Sequence, residues 1–471
     1  MRFGCYAKDL RCELDKREFA IILAAGRGTR MKSSLAKVLH PICGKPMVEH
    51  VVLAAQSAGL QPVVVVNHQE AEVRSALDGL DVLFARQVET RGTGDAVAAA
   101  LSVLPEDGIV LVMAGDAPLI LSKTMADLRQ AHGQSLATVL TACVDEPAHY
   151  GRLIRDAQGR PSIIEARECT PEQLAVTEIN TGLYAFDIAW LRATLPQLPV
   201  HEDKGEVYLT DTIALAAQQD RAAVVAHHDV GEVLGVNDRW DLSVARRVLQ
   251  DRIVQSHARA GVTFLDAASV VIDVDVQLGE DCEIGPGVVL QGATSVGAGS
   301  QVEAYAVLRD TQVGAGVKIL AHTVSDGATI DDGVRHVGPM ARLRPGTRLK
   351  QGARVGNFVE VKKSVLEPGA TVGHLSYIGD STIGEDANIG AGTITCNYDG
   401  FAKHHTEIGS GAFIGSNTAL VAPVQVGSGA IVGAGSVITR DVPPDAVSVA
   451  RGDQVDREGA AQRVRQRKKQ G

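Results

Sequence analysis

Two strings of residues have the types and spacing that chemistry needs. Leu23-Ala24-Ala25-Gly26-Arg27-Gly28-Thr29-Arg30-Met31 follows an apolar run, and its small residues let backbone N–H groups approach a polyphosphate. Arg30 and nearby Lys37 add charge for the same anion. No GKS or GKT follows, so this is not a Walker loop, and it lacks the GxGxxG spacing of a dinucleotide fold. By itself such a turn fits a phosphate cradle and a plain turn equally. Gly115-Asp116 offers an oxygen ligand of the kind Mg²⁺ takes beside substrate phosphates, although an isolated Gly-Asp reads first as a strand-ending turn. The second string, residues 373–380, contains His374, with residues 342–346, 357–363 and 388–392 supplying Arg, Lys and Asn nearby. A neutral imidazole takes a proton near neutral pH, and the cations suit a phosphate. Alone, His374 is one of 14 histidines and reads first as an ordinary corner residue.

Rigid elements must hold these groups. In the first half, apolar strand-like runs (19–23, 63–66, 109–113, 136–140) alternate with helical stretches (47–58, 95–104). That alternation predicts a mostly parallel sheet covered on both faces. Asp116 then lies just beyond the C-terminal end of a strand, where open parallel sheets bind ligands. From 240 to 260 the spacing of Leu242, Ala245, Leu249 and Ile253 predicts one long helix, stopped by Gly261.

The second half repeats every six residues. Aliphatics fall in phase at Leu278, Ile284, Leu290, Val296, Val302 and Leu308, at Val337, Leu343, Leu349, Val355 and Val361, and from Ile408 through Ile414, Leu420, Val426 and Val432 to Ile438. Four residues later stands something small or β-branched, such as Thr294, Ala306, Ala353, Thr418 or Ser436. A helix cannot hold a six-residue stripe on one face, and a flat hairpin sheet shows period two. A coil of short flat sides and tight corners can, so the period predicts a parallel β-helix. The phase breaks once, over residues 395–405, and irregular loops leaving a regular scaffold often carry function.

Composition narrows the classes. A chain of 471 residues with 45% hydrophobic residues builds two domains or more. The net charge of −10 argues against a general partner for nucleic acid or membrane surfaces. No window approaches a membrane span, so no membrane insertion is expected. Seven scattered cysteines without a CxxC, and a charged segment 1–18 unlike a secretion signal, point to a reducing cytoplasm.

The string LAAGRGTRM with Lys37 resembles the signature of sugar-1-phosphate nucleotidyltransferases. Further matches follow in order: Gln87 with Gly92-Thr93-Gly94, Gly115-Asp116, Tyr150-Gly151-Arg152, Glu165, Asn180-Thr181-Gly182 and Gly235-Val236-Asn237. GNFVEVKK, GHLSYIGD and NIGAGTITCNYDG resemble the acetyltransferase half of the bifunctional family that joins glucosamine-1-phosphate acetyltransferase to N-acetylglucosamine-1-phosphate uridylyltransferase. Together the matches cover about residues 19–451.

The resemblance implies an α/β nucleotidyltransferase domain with a Rossmann-like mixed sheet, followed by a left-handed parallel β-helix of hexapeptide repeats. Its implied divisions are an extension (1–18), a uridylyltransferase domain (19–241), a linker helix (242–261), an acetyltransferase β-helix (262–456) and a basic flexible tail (457–471). The implied reactions are acetyl transfer from acetyl-CoA to glucosamine-1-phosphate, then uridylyl transfer from UTP to N-acetylglucosamine-1-phosphate. The product, UDP-N-acetylglucosamine, feeds peptidoglycan and lipopolysaccharide synthesis.

Carried over residue by residue, Leu23, Ala24, Ala25, Gly26, Arg30 and Lys37 would hold the nucleotide, and Gln87, Gly92 and Thr93 would read the base. Gly151, Glu165 and Asn180 would line the sugar pocket, and Asp116 with Asn237 would hold Mg²⁺. His374 would be the general base. Arg344, Lys362, Tyr377 and Asn388 would hold glucosamine phosphate. Ala391, Asn397, Tyr398, Lys403, Ser416, Ala434 and Arg451 would meet acetyl-CoA or the substrate edge. The family also implies a homotrimer with acetyl transfer between neighbouring chains. Two positions depart from the pattern: Thr90-Arg91 replaces Gln-Leu, so the choice of UTP rests on the acetyltransferase partner, and Ala36 replaces Pro. Two other readings compete: a nucleotidyltransferase whose β-helix only oligomerises or regulates, and a trimeric scaffold without catalysis.

Overall fold

A strand buried on both faces reads as an unbroken apolar run, and β1 (Glu18–Leu23) is one, with Phe19, Ala20, Ile21 and Ile22 all buried. The computed structural model describes residues 18–26, 28–67, 69–201, 205–233 and 235–469. The expected N-terminal extension, apart from Glu18, lies outside these residues, as does Arg27 of the glycine-rich loop.

The described chain divides into two units, the first ending at Gln250 and the second beginning at Asp251. In the first, β1 is followed by α1 (Met47–Ser57), β2 (Leu60–Val66), β3 (Leu83–Arg86), α2 (Thr93–Ala100), β4 (Ile109–Ala114), α3 (Ser122–His132), β5 (Ala137–Cys143), β6 (Glu178–Asp187) and β7 (Ala222–His227). Their order across the sheet is β7-β5-β6-β4-β1-β2-β3, and β6 alone in that row runs antiparallel to its neighbours. Successive β1 residues alternate between two cores: Phe19 and Ile21 pack with Val63 and Val65 on one face, Ala20 and Ile22 with Val64 and Val66 on the other. The chain turns to β2 on one side of β1 and returns to β4 on the other, which opens a crevice at the strands' C-terminal ends. Leu23 pairs with Ala114 across that edge, and Gly115 N–H donates to the Leu23 carbonyl at 2.9 Å. The glycine-rich loop and Asp116 therefore leave the sheet side by side.

The long helix spans Arg239–Arg259. Leu242 and Ala245 are buried, while Ile253 and Val254 pack on the core of the second unit, so the boundary between units falls inside the helix and not at its end.

The six-residue period becomes three parallel sheets of eleven, ten and nine strands among the described residues. Ile284 pairs with Val302, Val302 with Ile319, Ile319 with Val337 and Val337 with Val355, so one coil takes 17 or 18 residues. The phased aliphatics from Ile284 to Ile438 are buried, and so are the small residues four places on, including Thr294, Ser300, Ala353 and Ser436. Ile389 pairs with Ile414, a step of 25, because residues 397–405 leave the coil as a loop. Within the basic tail Ala460–Lys469 is helical, and Arg463, Arg465 and Arg467 are exposed. Ala, Gln and Arg are strong helix formers, which a reading of charge alone overlooks.

Leu343 sits in the β-helix core with no exposure. Leu343→Ala is expected to remove about 2–5 kcal/mol of stability, read from equilibrium denaturation; a loss below about 1 kcal/mol would contradict an interior built from this ladder.

Candidate active sites

Leu23, Gly26, Gly28, Arg30, Lys37, Asp116 and Asn237 line one cavity of about 380 Å³ at the crevice. Lys37 Nζ forms an ion pair with Asp116 and lies 3.5 Å from Asn237 Oδ1, while Arg30 Nη2 donates to the same oxygen at 2.9 Å. A Cβ on Gly28 would fall 2.4 Å from the Lys37 Cβ, so glycine there, at φ +60°, lets the lysine stem pass beneath the loop. Ala24 and Ala25 are buried under the same loop.

The orientation of Asn237 is fixed from behind. Its Nδ2 donates to His149 Nε2 at 2.9 Å and to the Gly235 carbonyl at 3.2 Å, which turns Oδ1 toward the cations. Burial, then Arg30 and Lys37, hold the His149 pKa below the ordinary histidine value, consistent with a neutral ring accepting that bond. Val236 N–H donates to the Asp116 carbonyl at 2.9 Å and binds the two oxygen-bearing loops together. A divalent cation fits this donor set, since one carboxylate and one carboxamide oxygen leave the remaining positions to substrate phosphates and water. Among the described residues no group of three or more His, Cys, Asp and Glu could hold a metal instead.

The remaining nucleotide-site candidates form two further groups. Gln87 is buried, and its Nε2 donates to the Gly92 carbonyl at 3.2 Å and to Asp95 Oδ2 at 3.0 Å. Thr93 Oγ1 accepts Leu209 N–H at 3.0 Å. Asn180 N–H donates to the Gly151 carbonyl at 2.9 Å, and Glu165 Oε1 accepts from Thr210 Oγ1 at 3.3 Å. None of these six residues lines the cavity that holds Lys37 and Asp116. At the departure from the family pattern, Arg91 pairs with Glu89 at 3.1 Å. Ala36 holds φ −55° and ψ 141°, angles a proline adopts freely.

On the β-helix, parallel pairing turns sequence steps of one coil into columns. Asn357 pairs with His374, and the alignments Val372–Ile389, Ile389–Ile414 and Ile414–Val432 place His374, Ala391, Ser416 and Ala434 at one corner of successive coils. Backbone bonds tie this edge: Gly392 to the His374 carbonyl, Asn417 to Ala391 at 2.7 Å, Gly435 to Ser416 at 2.8 Å. Arg451 Nη1 closes it on the Ala434 carbonyl at 2.7 Å. Beyond an exposed His374 the edge carries the small side chains of Ala391, Ser416 and Ala434 as far as Arg451. Asn357 Oδ1 meets His374 Nδ1, and an amide oxygen only accepts. In the neutral ring Nδ1 then carries the proton, and Nε2 keeps its lone pair for a substrate.

Arg344, Lys362, Tyr377 and Asn397 gather elsewhere. Arg344 Nη1 pairs with Glu360 at 3.0 Å, and Lys362 Nζ with Asp380 at 3.6 Å. Asn397 Nδ2 reaches both Asp380 Oδ2, at 2.5 Å, and the Tyr377 hydroxyl, at 3.4 Å. Asn397 thus sits among the phosphate-side candidates and not on the Ala391–Ser416–Ala434 edge. Lys362 pairs with Gly379 at the far end of the strand that follows His374. The cations and the base thus stand at opposite edges of one face, roughly 10–15 Å apart at 3.3 Å per residue. Asn388 projects from the neighbouring face, in register with Thr371 and Phe413. In the loop, Lys403 Nζ lies 4.1 Å over the Tyr398 ring, and Asp399 Oδ1 caps the turn from Phe401 and Ala402 N–H. Phe401, at its tip, is 96% exposed.

Sequence reasoning did not single out Arg167, which lines the first cavity, or His149, Asn357, Glu360 and Asp380, which orient or pair the candidate groups. The 17-residue step from Asn357 to His374, one coil, was the available signal for Asn357.

Comparison with known proteins places these sites in context. Residues 20–185 match a MobA-like NTP transferase domain, and residues 405–440 a bacterial transferase hexapeptide family of six repeats. A Bifunctional protein GlmU of Sorangium cellulosum is 45% identical over 462 residues, 96% of this chain and 97% of the relative. Proteins of the same name from Alkalilimnicola ehrlichii and Methylococcus capsulatus are 46% and 45% identical, covering 92% and 93% of this chain and 94% and 96% of the relatives.

Asn357→Ala removes the group that fixes the His374 tautomer. Acetyl transfer is expected to fall about 10–100-fold in kcat, less than the roughly 100–10,000-fold that general-base catalysis supplies, because the base itself remains, with uridylyl transfer unaffected. Equal loss of both activities would tie Asn357 to folding instead.

Proposed function

The chain belongs to the GlmU family of bifunctional transferases, and we propose that its two sites act in turn on one aminosugar. Acetylation comes first, at the β-helix. An ammonium cannot attack a thioester, so His374 Nε2 takes a proton from the amine of glucosamine-1-phosphate. The nitrogen then attacks the acetyl carbonyl of acetyl-CoA, the C–S bond breaks, and coenzyme A leaves as the thiol. Arg344 and Lys362 neutralise the sugar phosphate, with Tyr377 and Asn388 orienting the ring. The small-residue edge of Ala391, Ser416 and Ala434, with Arg451 at its end, is open for coenzyme A, and Tyr398 and Lys403 would reach it from the loop of a neighbouring chain.

Uridylyl transfer follows in the first unit. A phosphate oxygen of N-acetylglucosamine-1-phosphate attacks the α-phosphorus of UTP, the α–β phosphoanhydride breaks, and pyrophosphate leaves. No protein group is alkylated or phosphorylated, so the protein's contribution is alignment and charge. Lys37 and Arg30 stabilise the phosphates, the loop from Leu23 to Gly26 supplies N–H donors, and Gln87, Gly92 and Thr93 hold the base. Gly151, Glu165 and Asn180 hold the sugar. Mg²⁺ held by Asp116 and Asn237 would supply positive charge to the phosphates. The scattered cysteines without a CxxC support a cytoplasmic setting.

The observation that carries this reading is the co-occurrence in one chain of the Lys37–Asp116–Asn237 cluster and a histidine whose Nε2 is left free. Separation of Arg344 and Lys362 from His374 within a single chain supports acetyl transfer between neighbouring chains of a homotrimer.

His374→Ala is expected to abolish acetyl transfer and spare pyrophosphate release from UTP; Asp116→Ala, or chelation of Mg²⁺, should do the reverse. If His374→Ala spared both reactions, the β-helix would be an oligomerising element only.

Co-expression of His374→Ala chains with Arg344→Ala chains tests the shared site. Random cyclic trimers holding both chain types keep one intact site in three, so about a quarter of native acetyl transfer should return. No recovery would place each site within one chain.

A further inference from the structure

Residues 205–211 link the two sides of the first-unit site. Val207 N–H donates to the Arg91 carbonyl at 2.7 Å, and the Val207 carbonyl accepts Gly94 N–H at 2.9 Å. A Cβ on Gly92 would lie 2.5 Å from that carbonyl, so the segment presses directly on the turn beside Gln87. Leu209 and Thr210 reach Thr93 and Glu165 as described above, which brings the base-side and sugar-side groups onto one strip of backbone.

His201 closes this strip on the sugar side. Its Nε2 lies 3.0 Å from Asp211 Oδ2, its Nδ1 lies 3.3 Å from Glu168 Oε1, and its ring centroid is 4.2 Å from that of Tyr208. The backbone is held too, with His201 N–H donating to the Glu206 carbonyl at 2.9 Å and Gly205 N–H to the His201 carbonyl at 2.8 Å. Carboxylates only accept, so the Nε2 bond to Asp211 puts a proton on that nitrogen, and a second proton on Nδ1 makes the ring a cation paired with Glu168 as well. A neutral ring can serve one carboxylate and must release the other. Among the described residues, the charged groups acting on the ring are Asp211, Glu168 and Glu165, all acidic, and the hydrogen bond to Asp211, opposed by burial, raises the pKa above the ordinary histidine value.

We propose that His201 is a positioning residue for uridylyl transfer: as an imidazolium it clamps the loop of Glu165, Arg167 and Glu168 to the segment that braces Gly92 and Thr93. This rests on the reading of that site given above. A raised pKa means the cation is present at lower pH and is lost as pH rises through the shifted value. The Glu168 contact then goes, and the sugar-side loop loosens while Lys37 and Asp116 stay in place. The expected signature is a rise in KM for N-acetylglucosamine-1-phosphate with pH, and little change in kcat.

The test is steady-state uridylyl transfer by the full chain from about pH 6 to about pH 9, spanning the histidine range. His201→Gln should raise KM for the sugar phosphate about 3–10-fold at the low end and remove the pH step. His201→Arg, charged throughout, should keep a low KM to higher pH. Ionisation of the substrate phosphate is common to all three proteins and cancels in the ratios. Acetyl transfer by the same preparations should be unchanged, which reports an intact fold. A pH step in His201→Gln equal to the native one, or His201→Arg behaving as His201→Gln does, overturns the clamp. Asp116→Asn in the same assay separates the two ideas: retained activity there overturns the site reading, whatever His201 does.

Discussion

Parallel strand pairing is the constraint on which both sites depend. In a parallel ladder every strand ends on the same edge, and residues a fixed number of steps apart come to stand side by side. In the first unit this brings the loop after β1 and the turn after β4 to one crevice, because Leu23 and Ala114 are partners. In the second it stacks Asn357 under His374, and His374 under Ala391, Ser416 and Ala434. Slipping one coil by a single residue would turn the aliphatic rows outward and scatter that edge. The buried rows of Val, Ile and Leu hold the register, and the chemistry is carried by what the register aligns.

Electrostatics then sets how each site waits for substrate. Lys37 pairs with Asp116 and Arg30 bonds the Asn237 oxygen, so each cation in the part-buried crevice has an oxygen partner. Arg344 with Glu360 and Lys362 with Asp380 repeat the device on the β-helix. Such pairing keeps long cationic side chains ordered and lowers the cost of leaving them partly desolvated. An arriving phosphate joins charges already in position, which is the sense in which these sites are preorganised.

The legible parts of the sequence were those governed by local period. The hexads at 278–308 and 408–438 announced the β-helix because each aliphatic must point inward, and the gap at 395–405 announced the loop because no residue there keeps phase. Strand ends and the glycine-rich loop were likewise readable, and the family strings supplied the residues between. What stayed hidden were partners created by the third dimension. His149 orients Asn237 from 88 residues away, Arg167 enters the cavity from a separate loop, and Asp380 touches Lys362 and Asn397 only after the coil has closed. Neither His149 nor Arg167 carries a spacing that differs from an ordinary surface residue, whereas Asp380 stands one coil from both Lys362 and Asn397. In the tail the charge was visible, while the helix preference of Ala460–Lys469 lay in residues that also suit disorder.

One edge of the β-helix is built at a cost that a lone chain has no use for. Tyr305, His322, Met340, Phe358 and Leu375 occupy successive corners in the left-handed region, with φ between 48° and 60°. That conformation costs a bulky side chain about 1–2 kcal/mol relative to the residues that adopt it freely. The last coils show the cheaper solution, with Gly392, Asn417 and Gly435 at the equivalent corners. Yet Tyr305, Met340, Phe358 and Leu375 are 58%, 47%, 54% and 63% exposed, a largely apolar stripe, interrupted by His322, one residue past the His374 column. Exposed apolar area on a strained edge marks a surface that a partner can cover, and the homotrimer proposed above would use it. Because the stripe borders the base, and the phosphate-side cations sit on the opposite edge of the same face, a second copy seated there would bury the stripe and complete the site in one step.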